Sequence, residues 1–173
     1  MDLKHYIRTV KDFPKKGIDF FDITTLVKDK DALAYAVDLF YDKYKNTKID
    51  KIVSAESRGF IFGAPLAYKL NCGFVLARKP SKLPADTISE SYSLEYGSNS
   101  IEIHKDAISK SEKILIVDDL LATGGTVRAL INLVNKLEGE VVGLSFLIDL
   151  AFLNGKDSLK GYDVFSLLTY QEE

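Results

Sequence analysis

The sequence predicts an α/β domain with a mostly parallel central sheet and helices on both faces. Short apolar runs typical of buried strands alternate with segments of helical spacing; the runs are 51–54, 73–77, 113–117, 140–150 and 163–168. The run 114–117 also leads through two carboxylates and a small-residue loop into an amphipathic segment, which is a strand–loop–helix connection of open α/β sheets. With 173 residues, 46% of them hydrophobic, we expect a single domain over residues 1–173.

The helices are predicted from apolar spacing. Leu3, Ile7 and Val10 indicate a short amphipathic N-terminal helix, which Pro14 and Gly17 would end. Residues 33–44 have an aromatic face at helical spacing, and residues 59–70 read as the helix after the first strand. A further helix follows Gly125.

An insertion interrupts this alternation between residues 78 and 97. Residues 78–91 are polar, contain Pro80 and Pro84, and show neither helical nor strand periodicity. Residues 92–95 and 100–103 look like the two strands of a hairpin. A long proline-bearing loop in a small domain is usually a lid or a disordered segment, and we expect here a flexible lid that orders over a ligand.

Composition excludes several functional classes. A net charge of −2 gives no general attraction to nucleic acid or to an anionic membrane. No apolar stretch approaches the roughly 18 residues of a membrane span, and the first residues lack the apolar core of a signal peptide. Cys72, the single cysteine, rules out an intrachain disulfide and favours a reducing, cytoplasmic location.

The segment 114–126 predicts an anion site with acids beside it. Asp118 and Asp119 lie at the carboxyl end of the strand, where open α/β sheets bind ligands. The backbone N–H groups of the next loop are free to face a phosphate; its residues are Ala122, Thr123, Gly124, Gly125 and Thr126. No lysine follows the glycines, so the loop is not a Walker A motif. A ribose 5-phosphate fits both parts of the site, since its hydroxyls can bind the acids, its phosphate can bind the loop, and Mg²⁺ can lie nearby.

The whole run from Ile114 to Thr126 resembles the phosphoribosyl-pyrophosphate signature of type I phosphoribosyltransferases, in the form found in adenine phosphoribosyltransferases. The resemblance implies that adenine and phosphoribosyl pyrophosphate react to give AMP and diphosphate, with Mg²⁺ held mainly by substrate oxygens and water. It also implies that Asp118 and Asp119 hold the ribose hydroxyls and stabilise positive charge at C1′, while residues 122–126 bind the 5-phosphate.

A second segment, Ser54 to Gly63, resembles the pyrophosphate loop of the same family. It places Arg58 at a helix start, where a guanidinium can bind pyrophosphate; pairing with a surface carboxylate is the alternative. The resemblance also implies a cis peptide bond between Glu56 and Ser57.

The insertion resembles the family's catalytic loop in its strings Arg-Lys-Pro-Ser-Lys-Leu-Pro and Leu-Glu-Tyr-Gly. The resemblance implies that Lys79 and Lys82 stabilise the departing pyrophosphate and that Glu95 and Tyr96 close over the base, Glu95 towards adenine N7. Closure would exclude water from an oxocarbenium-like centre. Solvated surface charge is the simpler alternative for these residues.

The segment 12–23 resembles the family's base pocket, in which main-chain groups read adenine beside a stacking ring. By position these are the main chains of Asp19 and Phe21 and the ring of Phe20, with Leu150 as the opposite wall. The resemblance thereby implies a small N-terminal base-binding hood. Phe21 stands where the family commonly has Arg, and Lys16 where it commonly has Pro. Both phenylalanines could instead belong to the core.

Other functions remain open on sequence alone. Another purine phosphoribosyltransferase, for xanthine or guanine, would share the ribose site and differ in the base pocket. A non-catalytic regulator on this fold would bind phosphoribosyl pyrophosphate and act through protein or DNA, but known ones carry an extra DNA-binding domain. The resemblance further implies a homodimer in which Arg78 of one subunit approaches the other's site.

Overall fold

The computed structural model describes residues 1–93 and 98–172. Its strands are β1 (Arg8–Val10), β2 (Phe20–Asp22), β3 (Lys51–Ala55), β4 (Gly73–Ala77), β5 (Thr87–Ser93), β6 (Ser98–His104), β7 (Lys113–Leu121), β8 (Glu140–Leu150) and β9 (Val164–Tyr170). Its α-helices are α1 (Thr24–Val27), α2 (Lys30–Tyr44), α3 (Arg58–Leu70) and α4 (Gly125–Lys136). Short 3₁₀ segments cover Leu3–Tyr6, Ala151–Leu153 and Gly155–Leu159.

The predicted parallel sheet is confirmed. Its five strands lie in the order β4–β3–β7–β8–β9, and every neighbouring pair is parallel. Strand β7 is the central strand of this order. Its apolar residues are buried on both faces of the sheet, Ile114 and Ile116 on one and Leu115 and Val117 on the other, as expected for a continuous apolar run. The carboxyl ends of β3 and β7 therefore lie side by side, and the loops that follow them meet there.

Helices cover both faces of the sheet, as predicted. On one face, α2 and α3 bury Phe40, Phe62 and Leu66 against the sheet. On the other, α4 buries Val127, Leu130 and other residues of its apolar stripe. None of the helices in the described ranges combines the length and the apolar character that crossing a membrane requires.

The N-terminal helix prediction was wrong beyond its first turn. Asp2 caps a 3₁₀ turn over Leu3–Tyr6, and the chain then extends into β1, which pairs antiparallel with β2. The two strands are joined by an ion pair between Arg8 and Asp22. Hydrogen bonds from Arg8 and Thr24 lower the pKa of Asp22 to about 2. The helical spacing of Ile7 and Val10 was overridden by a strand partner distant in sequence.

The prediction that residues 78–91 have no strand was wrong from Thr87 onward. Strand β5 begins there and pairs antiparallel with β6, which confirms the hairpin but lengthens both strands. The hairpin lies against α4: Ile88 and Tyr92 pack on the core, and Glu90 accepts a hydrogen bond from Asn132. Leu94, Glu95, Tyr96 and Gly97 lie outside the described residues.

Candidate active site

Two neighbouring acids lie at the end of the central strand and are almost completely buried. Asp118 is 8% exposed and Asp119 is 4% exposed. The backbone N–H of Asp119 donates to Asp118 Oδ1 at 2.9 Å. Burial raises the pKa of both carboxyls, the charge of Asp119 raises the pKa of Asp118 further, and Arg58 opposes both shifts. Such a pair is stabilised by any cation or hydroxyl donor that lies against it.

Arg58 begins α3 and is the cation nearest this pair that the structure records. Its Nε lies 2.7 Å from Asp119 Oδ2, so the partner is a buried site acid and not the surface carboxylate considered as an alternative. Its Cζ lies 5.6 Å from the centre of the Phe20 ring. Arg58 therefore contacts both an acid expected to bind ribose and the ring expected to stack on the base. The peptide bond between Glu56 and Ser57, just before Arg58, is cis as predicted.

The helix α3 approaches the acids closely because it has glycine in its first turn. A Cβ on Gly59 would lie 2.7 Å from Asp118 Oδ1 and 3.2 Å from the Val117 carbonyl oxygen. Sequence reasoning did not assign this role to Gly59, although its place within the pyrophosphate-loop segment was a signal.

The loop 122–126 ends at the N-terminus of α4 without a side-chain cap. Gly124 occupies the N-cap position with φ +87°, a conformation that favours glycine. Because the N-cap residue Gly124 has no side chain that could accept a hydrogen bond from them, the first N–H groups of α4 are available to an anion. A Cβ on Gly124 would overlap Ser158 Oγ and lie 3.0 Å from the Gly155 carbonyl oxygen.

These groups surround one cavity of about 270 Å³. Among the residues predicted for the sugar-phosphate site, its lining includes Arg58, Lys79, Asp118, Asp119 and the whole loop from Ala122 to Thr126. Lys82 is exposed and does not line it. The lining also contains Glu56, Ser57, Tyr92 and Ser100, which sequence reasoning did not assign. Glu56 and Ser57 lay within the pyrophosphate-loop segment, whereas Tyr92 and Ser100 were predicted only as strand residues.

Glu56 fixes the first residues of the predicted lid. Its Oε2 accepts hydrogen bonds from Arg78 Nε and from the backbone N–H of Lys79, each at 3.0 Å. Arg78 also exchanges two backbone hydrogen bonds with Glu102 on β6. Hydrogen bonds from Lys79 and Arg78 outweigh the effect of burial and lower the pKa of Glu56, so this carboxylate is ionised at neutral pH. The lid therefore starts from a fixed point that places Lys79 at the cavity.

The predicted base pocket lies beside the cavity and does not line it. Phe20 is half-buried and makes an edge contact with Phe13, the ring centres being 5.2 Å apart. The Phe21 side chain is a core residue, packed on Tyr170 with ring centres 4.4 Å apart. Leu150 is buried at the end of β8, and Asp19 is half-buried. The core alternative thus holds for the side chain of Phe21 but not for Phe20.

Comparison with known proteins gives consistent matches over the whole chain. The family described as "Phosphoribosyl transferase domain" matches residues 23–169. An adenine phosphoribosyltransferase of Halothermothrix orenii is 61% identical over 168 residues, covering 97% of this chain and 99% of that protein. One from Brachyspira hyodysenteriae is 58% identical over 170 residues, covering 98% of this chain and 100% of that protein.

Solved structures of the same enzyme are also similar. The adenine phosphoribosyltransferase of Thermoanaerobacter pseudethanolicus has a TM-score of 0.94 and 51% identity, covering 97% of this chain and 98% of that one. The Saccharomyces cerevisiae enzyme, complexed with an imino-altritol bisphosphate and adenine, has a TM-score of 0.90 and 39% identity, with 96% of each chain covered.

Proposed function

This chain belongs to the adenine phosphoribosyltransferases of the phosphoribosyltransferase family, and we propose that the cavity at the carboxyl ends of β3 and β7 is where it converts adenine and phosphoribosyl pyrophosphate into AMP and diphosphate. The reaction is a step of purine salvage. The observation that carries the assignment of the site is the placement of two buried acids and an uncapped helix N-terminus around one cavity.

The sugar phosphate is bound by residues at the end of β7. Asp118 and Asp119 accept hydrogen bonds from the ribose 2′- and 3′-hydroxyls, which compensates their burial. Their negative charge then stabilises the positive charge that develops at C1′. The 5-phosphate lies in the loop 122–126, where the free N–H groups and the N-terminal end of the α4 dipole favour an anion.

The departing pyrophosphate is bound by cations from two loops. Arg58 leaves Asp119 and pairs with the pyrophosphate instead. This movement also uncovers the face of the Phe20 ring. Lys79 already lines the cavity, and Lys82 joins it when the lid closes. Glu95 and Tyr96, which lie outside the described residues, come over the base in the same movement.

Mg²⁺ would be held by substrate oxygens and water. In residues 1–93 and 98–172 there is no group of three or more His, Cys, Asp or Glu side chains placed to hold a metal. Asp118 and Asp119 would instead accept hydrogen bonds from the ribose hydroxyls and water molecules around the ion. When bound, the ion supplies positive charge that stabilises the leaving pyrophosphate.

Adenine is bound beside this cavity, against Phe20. The ring of Phe20 stacks on the base, Leu150 forms the opposite wall, and the main chains of Asp19 and Phe21 read its polar edge. Because these contacts come from main-chain groups, they do not depend on the side chain at position 21. Phe21 can therefore stand where the family commonly has Arg, with its main chain on the base and its side chain in the core. The Saccharomyces cerevisiae relative was solved with adenine bound.

Base preference tests this function directly. We expect adenine to be used at least about 100-fold more efficiently than hypoxanthine, because a 6-oxopurine reverses the donor and acceptor at position 6 and leaves buried groups unpaired. The measurement is kcat/KM for adenine, hypoxanthine, guanine and xanthine with saturating phosphoribosyl pyrophosphate. A comparable or higher value for one of the oxopurines would assign the chain to another purine phosphoribosyltransferase.

Hydrogen exchange tests the lid. Glu56 holds its first residues and β5 begins at Thr87, so within residues 78–93 of the free protein we expect fast exchange only at the non-proline residues of 80–86. With phosphoribosyl pyrophosphate and a base analogue bound, exchange there should slow, since Lys82 gains an anion. The matched control is the loop 106–111, which lies away from the site and should exchange equally in both states. Equal exchange of residues 80–86 with and without ligands would exclude closure.

We also propose that the enzyme is a cytoplasmic homodimer. Large side chains with apolar surface are exposed on the neighbouring elements α3 and β4: Tyr68 is 88% exposed and Leu76 is 43% exposed. A second copy of the chain would cover them. Sedimentation of the protein and of a Tyr68→Lys variant tests this, since only the variant should be monomeric. The single, half-buried Cys72 is consistent with a reducing cytoplasm.

A further inference from the structure

A buried acid, Asp149, pairs with the half-exposed Lys156 on the side of the loop 122–126 (the phosphate loop) that faces the segment Gly155–Leu159. Asp149 is on β8 and is completely buried, at 0% exposed. Lys156 Nζ lies 2.7 Å from its Oδ2, and Asp149 Oδ1 accepts no hydrogen bond from the described residues. A buried carboxylate with so few partners is costly unless a cation stays next to it. Lys156, whose side chain is 49% exposed, supplies that cation and so connects its own segment to β8.

Lys156 belongs to the 3₁₀ segment Gly155–Leu159, which packs directly on the phosphate loop. A Cβ on Gly155 would overlap the Ala122 carbonyl oxygen, so the two backbones are in contact. Ser158 lies beside Gly124, and its carbonyl accepts a hydrogen bond from Arg128 in the first turns of α4. Ala122 and Gly124 of the phosphate loop, together with Arg128 of α4, thus contact this one segment.

We propose that Asp149 and Lys156 are positioning residues for the ribose 5-phosphate: their ion pair holds the segment Gly155–Leu159 against the loop 122–126. The identity of the bound phosphate rests on the function proposed above. The physical reason is that free N–H groups bind an anion well only when their directions are fixed before it arrives. The loop has glycine at two positions and cannot supply that rigidity by itself.

The test compares variants that separate charge pairing from folding. Lys156→Met leaves the Asp149 carboxylate buried without a cation, whereas the double variant Asp149→Asn with Lys156→Met removes both charges and should fold. Lys156→Arg retains the pair. The matched control is Lys160→Met, which removes an exposed lysine of the same region, paired with Asp157 at 3.6 Å.

We expect the double variant to raise the KM for phosphoribosyl pyrophosphate by about tenfold, with kcat and the KM for adenine changed by less than about threefold, because uniform binding of the phosphate is lost. Lys156→Arg and Lys160→Met should be within about twofold of the wild type. Calorimetric titration with ribose 5-phosphate should show the same weakening, and thermal unfolding confirms that each variant is folded.

Two results would overturn the proposal. One is an unchanged KM for phosphoribosyl pyrophosphate in the folded double variant. The other is an equal rise of both KM values, which would mean that the pair supports the domain as a whole. A wild-type protein that fails to make AMP would refute the proposed function instead, and the ribose 5-phosphate titration would still decide the role of the pair.

Discussion

Asp118→Asn should lower turnover by about 10–1000-fold, which corresponds to roughly 1.4–4 kcal/mol of lost transition-state stabilisation. The amide keeps the shape of the side chain and can still accept the hydrogen bond from the Asp119 N–H, but it carries no charge to offset the cation developing at C1′. Asp119→Asn should have an effect of the same order and should also release Arg58 from its ion pair. The measurement is kcat for AMP formation. Wild-type rates in both variants would contradict the assigned role.

The same substitution should make the protein more stable at neutral pH. Burial and the neighbouring Asp119 raise the pKa of Asp118, so its proton is bound more tightly in the folded than in the unfolded chain. Stability is therefore lost as pH rises from about 4, the unfolded-state value, towards the raised folded-state pKa. Asn does not ionise, so the variant does not lose this stability as pH rises. We expect the Tm of Asp118→Asn to exceed that of the wild type at pH 7 and to converge with it near pH 4.

A surface acid gives the matched control for both effects. Asp42 pairs with Lys45 on the exposed side of α2, with its side chain 61% exposed. Asp42→Asn should change neither turnover nor the dependence of Tm on pH. If the Tm of Asp118→Asn fell below that of the wild type at pH 7, the proposed energetic cost of the buried acids would be wrong.

Gly124→Ala should weaken the use of phosphoribosyl pyrophosphate by about tenfold or more in kcat/KM and lower stability by roughly 1–3 kcal/mol. An alanine must adopt φ +87° there, and its Cβ would meet Ser158 Oγ and the Gly155 carbonyl. Since Gly155 contributes backbone, the loop 122–126 must move to make room. Steady-state kinetics with varied phosphoribosyl pyrophosphate, together with thermal unfolding, measures both effects.

Gly161→Ala separates backbone strain from displacement of the loop. Gly161 has φ +97°, but a Cβ there would have nothing within 4 Å. This variant should therefore lose about 1 kcal/mol of stability through the left-handed backbone alone. Its kcat/KM for phosphoribosyl pyrophosphate should be unchanged. A similar kinetic loss in both variants would show that general destabilisation, and not the position of the phosphate loop, explains the result for Gly124→Ala.

The parts of this protein that could be predicted from sequence are those with a local or periodic signal. The sheet was predictable because β3, β7 and β8 are apolar runs separated by segments of helical spacing. The phosphate loop and the acid pair were predictable because Asp118 to Thr126 are contiguous and chemically unusual. The cis bond between Glu56 and Ser57 came from family resemblance and has no signal in residue type.

What could not be predicted depends on contacts between distant residues. Strand β5 was hidden because Glu90 faces α4 and interrupts the apolar alternation of Ile88 and Tyr92; its partner Asn132 is 42 residues away. Similarly, β1 has only three residues and needs β2 to form. The hydrogen bonds of Glu56 to the lid and the ion pair of Asp149 with Lys156 are tertiary contacts for which the sequence shows no pattern.

The strands β1 and β2 form a sheet of their own, separate from the five strands that carry the acids and the phosphate loop. Substitutions in the hood therefore leave the hydrogen-bond ladder between β3 and β7 intact. In the proposed base pocket, the ring of Phe20 belongs to this separate sheet, whereas the opposite wall, Leu150, belongs to β8 of the five-stranded sheet. An exchange of residues 1–23 between relatives therefore changes one wall of the proposed pocket, and a complete change of base specificity also requires substitutions at the end of β8.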